Sequence, residues 1–560
     1  MKKAAFLVLF FISLLTKAGG FSINQAGYLI DAPKYFFINE PADSFYLHDV
    51  VDDKLVFKGA IELKAKNDPA TGMDVYKGDF SGFETPGKYY IALANGKKSP
   101  QFEISDTVYN NLFNASLKSY YYQRCGVGLE SKYAGEFKYG KCHTKDARFH
   151  PLAGEGYKDV TGGWHDAGDY GKYVVNAGVT VGTLLMAYEF FPAKFLSDSL
   201  NIPESGNRIP DILDEALFEI DWMLKMQRED GAVFTKVTKE KFEDFVMPDK
   251  DVEEGRLIYH VSSTATADFA AVLAKASRLI KDYDKDLAKK YLDAATAAWK
   301  FLSDNPGIIP TGGFKNPEGT VTGEYGDRDD SDERAWAAAE LFMSTGDKEY
   351  LDYFTIYARK NNFRFKSISW SQLNDLAYFT ILANSSKRNI PEDIKDKIKA
   401  ELLAYSDYLT AKSDRDGYGV TILPGEYRWG CNSDVLNNAL ILIIGYEITG
   451  DKNFYNLALG QLNYILGANA HKISFVTGIG ADYVRHPHHR PTASDGIEEP
   501  VPGFLSGGPN QNLQDPVLLK LFDKNTPPAM CYADDTGSWS SNEIAINWNA
   551  PLVFVSGYFK

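Results

Sequence analysis

Cysteine is scarce in this chain. Only Cys125, Cys142, Cys431 and Cys531 occur among 560 residues, which excludes a protein held by a disulfide framework. Basic excess is lacking as well. Lysine and arginine number 60 against 75 acidic residues, for a net charge of −15. A surface of that sign excludes nucleic acid and anionic membrane as partners. The N-terminal apolar run, Ala4 to Leu15, is too short to span a membrane. Low-complexity segments and exact repeats are also missing.

What remains describes a globular chain. It is 44% hydrophobic and 24% charged, long enough for a large core and for two or more domains. Aromatics reach 14%, with 34 tyrosines and 8 tryptophans. Rings in that number suit a plain core, and they also suit stacking on the flat faces of sugars. Lys2 and Lys3 precede the apolar run, and Thr16-Lys17-Ala18 supplies small residues after it. That is a signal-peptide pattern over residues 1–18, and it predicts an exported protein, secreted or periplasmic. No cysteine follows the run, which argues against a lipid anchor.

From Phe21 to Ser105 the pattern is short strands and turns. Tyr35–Ile38, Ser44–Leu47, Lys54–Phe57 and Lys88–Leu93 are β-rich, separated by turn signals such as Pro86-Gly87 and Asn95-Gly96. A small β-sandwich is expected over residues 21–105. Near Asp106 and Thr107 the period switches to that of helices. Helices are predicted near Val174–Phe190, Ile209–Gln227, Ser263–Ile280, Leu287–Ser303, Asp332–Ser344, Gln372–Leu382, Glu392–Thr410, Val435–Thr449 and Phe454–Leu466. A last helix-like run starts at Asn542. Residues 107–560 therefore read as one mainly α domain with its function carried by loops.

Three stretches carry the chemistry. Gly162–Tyr170 packs Trp164, His165, Asp166 and Asp169 between glycines. Two carboxylates three residues apart, on one helical turn or a tight loop, aim at one point, and such a pair is suited to activating water. An Asx-rich turn capping the next helix explains the same residues without chemistry. Near the tail, Glu543 stands before an apolar helix, where desolvation raises its pKa and suits it as an acid. A helix-dipole partner is the alternative reading. The third stretch, Arg485–Thr492, gathers three histidines and two arginines. Arg490 would repel a cation there, so hydrogen bonding to sugar hydroxyls or a carboxylate fits better than metal ligation.

Together these stretches resemble the family 9 glycoside hydrolases, the inverting cellulases. Tyr532, Asp534, Trp539, Glu543, Ala545, Asn549 and Ala550 fall in register with that family's C-terminal signature. Ile23–Leu29 followed by Ala32-Pro33-Lys34 resembles the immunoglobulin-like module preceding the catalytic domain in one branch. The resemblance implies an (α/α)6 barrel after a small immunoglobulin-like β-sandwich. It implies Asp169 as catalytic base, Asp166 as its helper in holding water, Glu543 as general acid and Asp534 in a supporting place. It implies His488 and Arg490 as hydroxyl-binding residues. Trp429, at a position matching a cleft-facing one, and Tyr532 are candidate stacking rings, although a lone aromatic in a helical protein is commonly core. Cys431 departs from the serine common in relatives. A monomeric β-1,4-glucanase acting on β-glucan polysaccharide or oligosaccharide is expected. An exo-acting cellodextrinase, a xyloglucan-active enzyme and a non-catalytic glycan-binding protein are the alternatives.

Two metals are expected. Cys125, Cys142, His143 and His165 form C-x16-C-H-x21-H, a donor set suited to tetrahedral zinc. A Cys125–Cys142 disulfide is the competing explanation. The resemblance implies a structural zinc at these four residues. The acidic run Asp327, Asp329, Asp332 and Glu333 offers hard oxygen donors suited to calcium, or a solvated cap at a helix N-terminus. The resemblance places the family's calcium at the Asp332-Glu333 pair. A second, weaker calcium candidate is Asp495–Glu498.

Overall fold

The computed structural model describes residues 20–252 and 254–560. The leader expected over residues 1–18 lies outside the described residues. Seven strands come first: Ser22–Ile23, Tyr35–Ile38, Ser44–Asp49, Leu55–Ala65, Val75–Asp79, Gly87–Leu93 and Phe102–Ile104. The long strand Leu55–Ala65 ties two layers together. Its first half pairs with Ser44–Asp49 and its second half with Val75–Asp79. The layers close over rings of alternating residues, Phe36 against Phe45 at 5.0 Å and Tyr28 against Phe80 at 5.2 Å. Large aromatic area buried between two sheets is what holds so small a sandwich.

Twelve helices of ten or more residues follow among the described residues, in two sets of six. Val174–Phe190, Ser263–Ile280, Ser331–Thr345, Asn374–Ala383, Cys431–Thr449 and Ile546–Phe559 are buried on nearly every face. Most of what they bury is apolar, and the charged residues among it, such as Asp268, Lys275, Glu333 and Glu340, lie on Ser263–Ile280 and Ser331–Thr345. Asn110–Tyr122, Asp211–Met226, Lys285–Asp304, Lys348–Lys360, Glu392–Ser413 and Lys452–Ile465 pack outside them, with one face in water. This is the (α/α)6 arrangement. Periodicity missed Lys348–Lys360 altogether and placed most other helices within a few residues.

The sandwich sits firmly on the barrel. Leu29, Phe37 and Val75 belong to the barrel's hydrophobic core. Asn24 Nδ2 donates to Asn463 Oδ1 at 2.7 Å and to Tyr109 Oη at 3.0 Å. Gly417 N–H donates to Asp68 Oδ1 at 2.9 Å. No described helix is long and apolar enough to cross a membrane.

Candidate active site

The segment 162–171 is a loop at one end of the barrel, not a helical turn. Gly162 and Gly163, at φ 97° and 74°, make a turn that other residues strain to adopt. Beyond it, Trp164 packs on Tyr120 at 4.6 Å, and its main-chain N–H donates to Glu219 Oε2 at 2.5 Å. Gln123 then reads the loop from the helix end. Its side-chain amide donates to the carbonyls of His165 and Ala167 at 3.2 and 2.9 Å. Gln123 Oε1 also bonds the His489 ring at 3.1 Å, so one amide fixes two loops.

The tail closes onto the same loop. A Cβ on Gly168 would lie 2.1 Å from the carbonyl oxygen of His488, so only glycine fits there. That approach lets Arg490 N–H donate to Gly168 O at 3.0 Å. Ile546 N–H donates to Asp166 O at 2.9 Å, and Gly507 N–H to Glu543 O at 2.9 Å. Glu543 does not open a helix as expected. It is extended (φ −70°, ψ 157°) between the short helix Trp539–Asn542 and the inner helix starting at Ile546. A helix-dipole role is thereby excluded for it.

Asp166, Asp169 and Glu543 all line one cleft of about 790 Å³, together with His488, Arg490 and Trp429. Tyr173, Tyr325, Trp370, Trp539, Trp548 and Phe242 supply aromatic walls. Trp429 is 39% exposed, a ring offered to a ligand rather than to the core. Asp166 is held at both oxygens: Asn176 Nδ2 donates to Oδ1 at 2.5 Å and Tyr325 Oη to Oδ2 at 2.7 Å. Burial and the neighbouring Asp169 push Asp166 up to about 7, against those two bonds. Asp169 Oδ2 accepts the Gly171 N–H at 3.0 Å. Burial raises Glu543 well above the carboxylate range. Asp169 and Asp166 add to the rise, while Arg490 and the Gly168 N–H oppose it. One carboxyl kept protonated beside another pair is the arrangement that acid–base chemistry requires.

His488 donates from Nδ1 to the Thr536 carbonyl at 2.6 Å, which leaves Nε2 the acceptor of the neutral ring. Burial lowers its pKa and keeps it neutral. Arg490 spends Nε on the Glu243 carbonyl at 2.9 Å and Nη1 on Gly168 O at 2.8 Å. The expectation for Tyr532 is corrected, and the supporting place expected for Asp534 is in the loop beside the cleft. Asp534 is absent from the cleft lining. Its carboxylate accepts the N–H groups of Arg485 and His486 at 2.9 and 2.8 Å and Asn542 Nδ2 at 3.1 Å, so it is spent on shaping the loop. Tyr532 is not a stacking platform. It is 6% exposed, wedged against Phe475 at 5.1 Å, with its hydroxyl on Asn542 Oδ1 at 2.6 Å. Tyr325, Asn176, Gln123 and Trp370 were not picked out from the sequence, because each carries meaning only through what folding brings beside it.

Cys125, Cys142, His143 and His165 are buried, and all four ligand atoms lie within 4.8 Å of one another. No disulfide joins the cysteines. His143 Nδ1 is 3.2 Å from His165 Nε2 and 3.5 Å from Cys125 Sγ. Ligands at zinc–nitrogen distance sit about 3.4 Å apart on a tetrahedron, so the donor set fits that metal. The acidic run is different. Asp329 is exposed and accepts the Ser331 N–H at 3.1 Å, and Asp332 accepts the Leu373 N–H at 2.7 Å. Asp327, Asp329, Asp332 and Glu333 do not form a group as tightly convergent as the Cys/His one. Both oxygens of buried Glu333 and of Asp268 lack hydrogen-bond partners. Burial, Asp332, Asp268 and Asp327 all raise Glu333. The other convergent group among the described residues is Asp198, Asp211 and Asp214, which sequence reading passed over. Asp214 Oδ2 is buried without a partner, and burial pushes the Asp214 carboxyl up to about 6.

Residues 109–556 match the family described as Glycosyl hydrolase family 9, and residues 17–98 match the Cellulase N-terminal ig-like domain. Endoglucanase D of Acetivibrio thermocellus is 37% identical over 96% of this chain and 83% of its own length. A cellodextrinase of Butyrivibrio fibrisolvens is 38% identical over 95% of this chain and 98% of its own. The crystal structure of a metagenome-derived family 9 endoglucanase is 34% identical and superposes with a TM-score of 0.90, covering 97% of this chain and 99% of that one. With its helical barrel, its immunoglobulin-like sandwich and these relatives, the chain belongs to glycosyl hydrolase family 9.

Proposed function

We propose that this glycoside hydrolase cleaves β-1,4-glucan chains in the endo mode with inversion at the anomeric carbon. One observation carries the reading: Asp166, Asp169 and Glu543 line a single aromatic cleft, with Glu543 raised by burial. Asp169 is the base that takes a proton from the attacking water, and Asp166 helps hold that water. Glu543 protonates the departing glycosidic oxygen. Inversion requires acid and base about 6.5–9.5 Å apart, with water between base and sugar. His488 and Arg490 bind hydroxyls beside the cleaved bond, and Trp429 stacks on a neighbouring sugar. Short cello-oligosaccharides are the second reading, favoured by the cellodextrinase likeness.

Residues 21–105 are proposed as the immunoglobulin-like domain and 107–560 as the catalytic domain, of an exported, monomeric enzyme. Zinc is assigned to Cys125, Cys142, His143 and His165, where it would be a structural tie holding His165 and hence the loop to Asp169. Calcium is assigned to oxygen donors at Asp332 and Glu333, joined by Asp268, and at Asp198, Asp211 and Asp214. Products from soluble glucans, separated by chromatography with the anomer read by NMR, test the reaction. The α-anomer is expected first. Initial β-anomer would exclude inversion, and binding without sugar release would make this a glycan-binding protein.

A further inference from the structure

Asp251 joins two parts of the molecule that the catalytic reading treats separately. On one side it meets the Cys/His cluster. His143 presents Nδ1 to Cys125 and His165, and its opposite ring nitrogen, Nε2, is 3.2 Å from Asp251 Oδ2. A metal-bound imidazole orients itself by donating its other N–H to a carboxylate, and Asp251, with its side chain 5% exposed, is that carboxylate. On the other side it grips Lys239, whose Nζ lies 2.7 and 2.8 Å from the two oxygens.

Lys239 begins the segment that becomes a wall of the cleft. Its carbonyl accepts Thr322 Oγ1–H at 3.1 Å, and Val321 N–H donates to Glu240 O at 2.7 Å. Phe242 follows and lines the cleft. Phe245 meets the His488 ring edge-on at 5.3 Å. Farther along, Tyr170 donates to the Val246 carbonyl, and the Tyr170 ring packs on His143 and His165 at 5.4 and 4.8 Å. Asp251, and through it Lys239, therefore ties the two ends of the 239–251 segment to the cluster, Tyr170 ties Val246, and Phe242 between them lines the cleft.

We propose that Asp251 is a positioning residue that transmits the geometry of the Cys125–Cys142–His143–His165 cluster to the cleft wall built by residues 239–251. The cluster then holds both sides of the cleft: one through His165 and the Asp166–Asp169 loop, the other through His143, Asp251 and Lys239. Loss of the metal frees the His143 ring, loosens Asp251 and lets the wall carrying Phe242 open.

Three measurements test this, and only the kinetic one rests on the glucanase reading. Zinc is loaded and its release to a chromogenic chelator is timed. Asp251→Ala releases it at least about tenfold faster than the parent, as for other outer carboxylates, whereas Lys239→Met releases it at the parental rate. Trypsin cutting at Lys241 and Lys250 accelerates about tenfold when the parent is stripped of metal, because local opening exposes the segment. Both variants raise KM for cello-oligosaccharides about fivefold with kcat within about twofold, the signature of a displaced binding wall. Faster zinc loss from Asp251→Ala with unchanged KM in both variants would overturn the relay. So would a tryptic rate in the parent indifferent to chelation. Should Asp251→Ala fail to fold, Lys239→Met and the stripped parent decide the matter. A parent that hydrolyses nothing refutes the glucanase reading and leaves the tryptic result standing.

Discussion

The main-chain N–H of Ile546 donates to the carbonyl oxygen of Asp166 across 2.9 Å. This bond stitches the first turn of the last inner helix to the loop that opens the first. Ala167 and Ala545 form a β-bridge beside it, and His488 and Glu543 form another. Backbone pairing, reinforced by the Gln123 side chain that bonds both loops, thus sets where the carboxylates of two distant segments stand. Side chains on a backbone held this way can be exchanged without moving their neighbours.

The first prediction uses that rigidity. Asp169→Asn and Glu543→Gln each lower kcat on soluble glucan by about 10²–10⁴-fold, the usual worth of a positioned acid or base. Both variants keep the parental circular dichroism and melting temperature, since neither carboxylate carries the fold. Near-parental turnover in either variant removes its assignment.

A second prediction concerns pH. Glu543 acts protonated, so kcat/KM falls as pH rises through its raised pKa. The charge of Asp166 is one cause of that rise. Asp166→Asn deletes the charge, lowers the Glu543 pKa and moves the alkaline limb toward lower pH. The limb is read from initial rates across pH 5 to 9. A limb that stays in place or moves upward rules out the coupling.

Much of this site was legible in the sequence, for a physical reason. Asp166, Asp169, His165 and Trp164 are crowded between glycines, and crowding of that kind survives as a linear pattern. Glu543 was found by its place before an apolar run, although its helix was started too early, because that run gives no sign of the extended link before Ile546. Tyr532 was expected to stack on a sugar and Asp534 to support the site because both belong to the same motif as Glu543. Their neighbours in the fold, Phe475 for one and two main-chain N–H groups for the other, lie some fifty residues away and leave no local trace. Tyr325 is the converse case. It reaches Asp166 only because a loop 159 positions downstream folds over the barrel mouth. The helix Lys348–Lys360 is strongly amphipathic, burying Leu351, Phe354 and Ala358 along one face, so its period was there to be read and was passed over.

The third prediction concerns stability. Arg124 is 2% exposed and pairs with Glu215, 0% exposed, at 2.9 Å and with Glu204 at 2.8 Å. Arg124→Met leaves Glu215 buried without a cation, which costs about 3–5 kcal/mol and lowers the melting temperature by roughly 5 °C. Adding Glu215→Leu to it removes the orphaned carboxylate and recovers most of the loss. Calorimetry of the single and double variants checks both steps. A double variant no more stable than the single one contradicts the explanation.

Metal content gives the fourth. Elemental analysis of the purified protein finds about one zinc per chain, and Cys142→Ser loses it. Stripping zinc lowers the melting temperature, because binding to the folded state alone is added stability. A Cys125–Cys142 disulfide found by peptide mapping, or a metal-free protein of unchanged stability, rules out the assignment.

The last concerns the aromatic wall of the cleft. Trp429 offers its ring to the cleft with 39% of its surface exposed, and its segment is anchored by Arg428 Nε on Asp434 at 3.1 Å. Trp429→Ala removes an apolar face worth about 1–2 kcal/mol to a stacked sugar, which is about tenfold in affinity. A ring that only binds lowers the energy of bound substrate and transition state alike, so KM rises while kcat holds. The effect is expected on cellotetraose and longer chains and fades on cellobiose analogues too short to reach the ring. Equal losses on long and short substrates would mean that Trp429 supports the carboxylate loops instead of gripping a sugar.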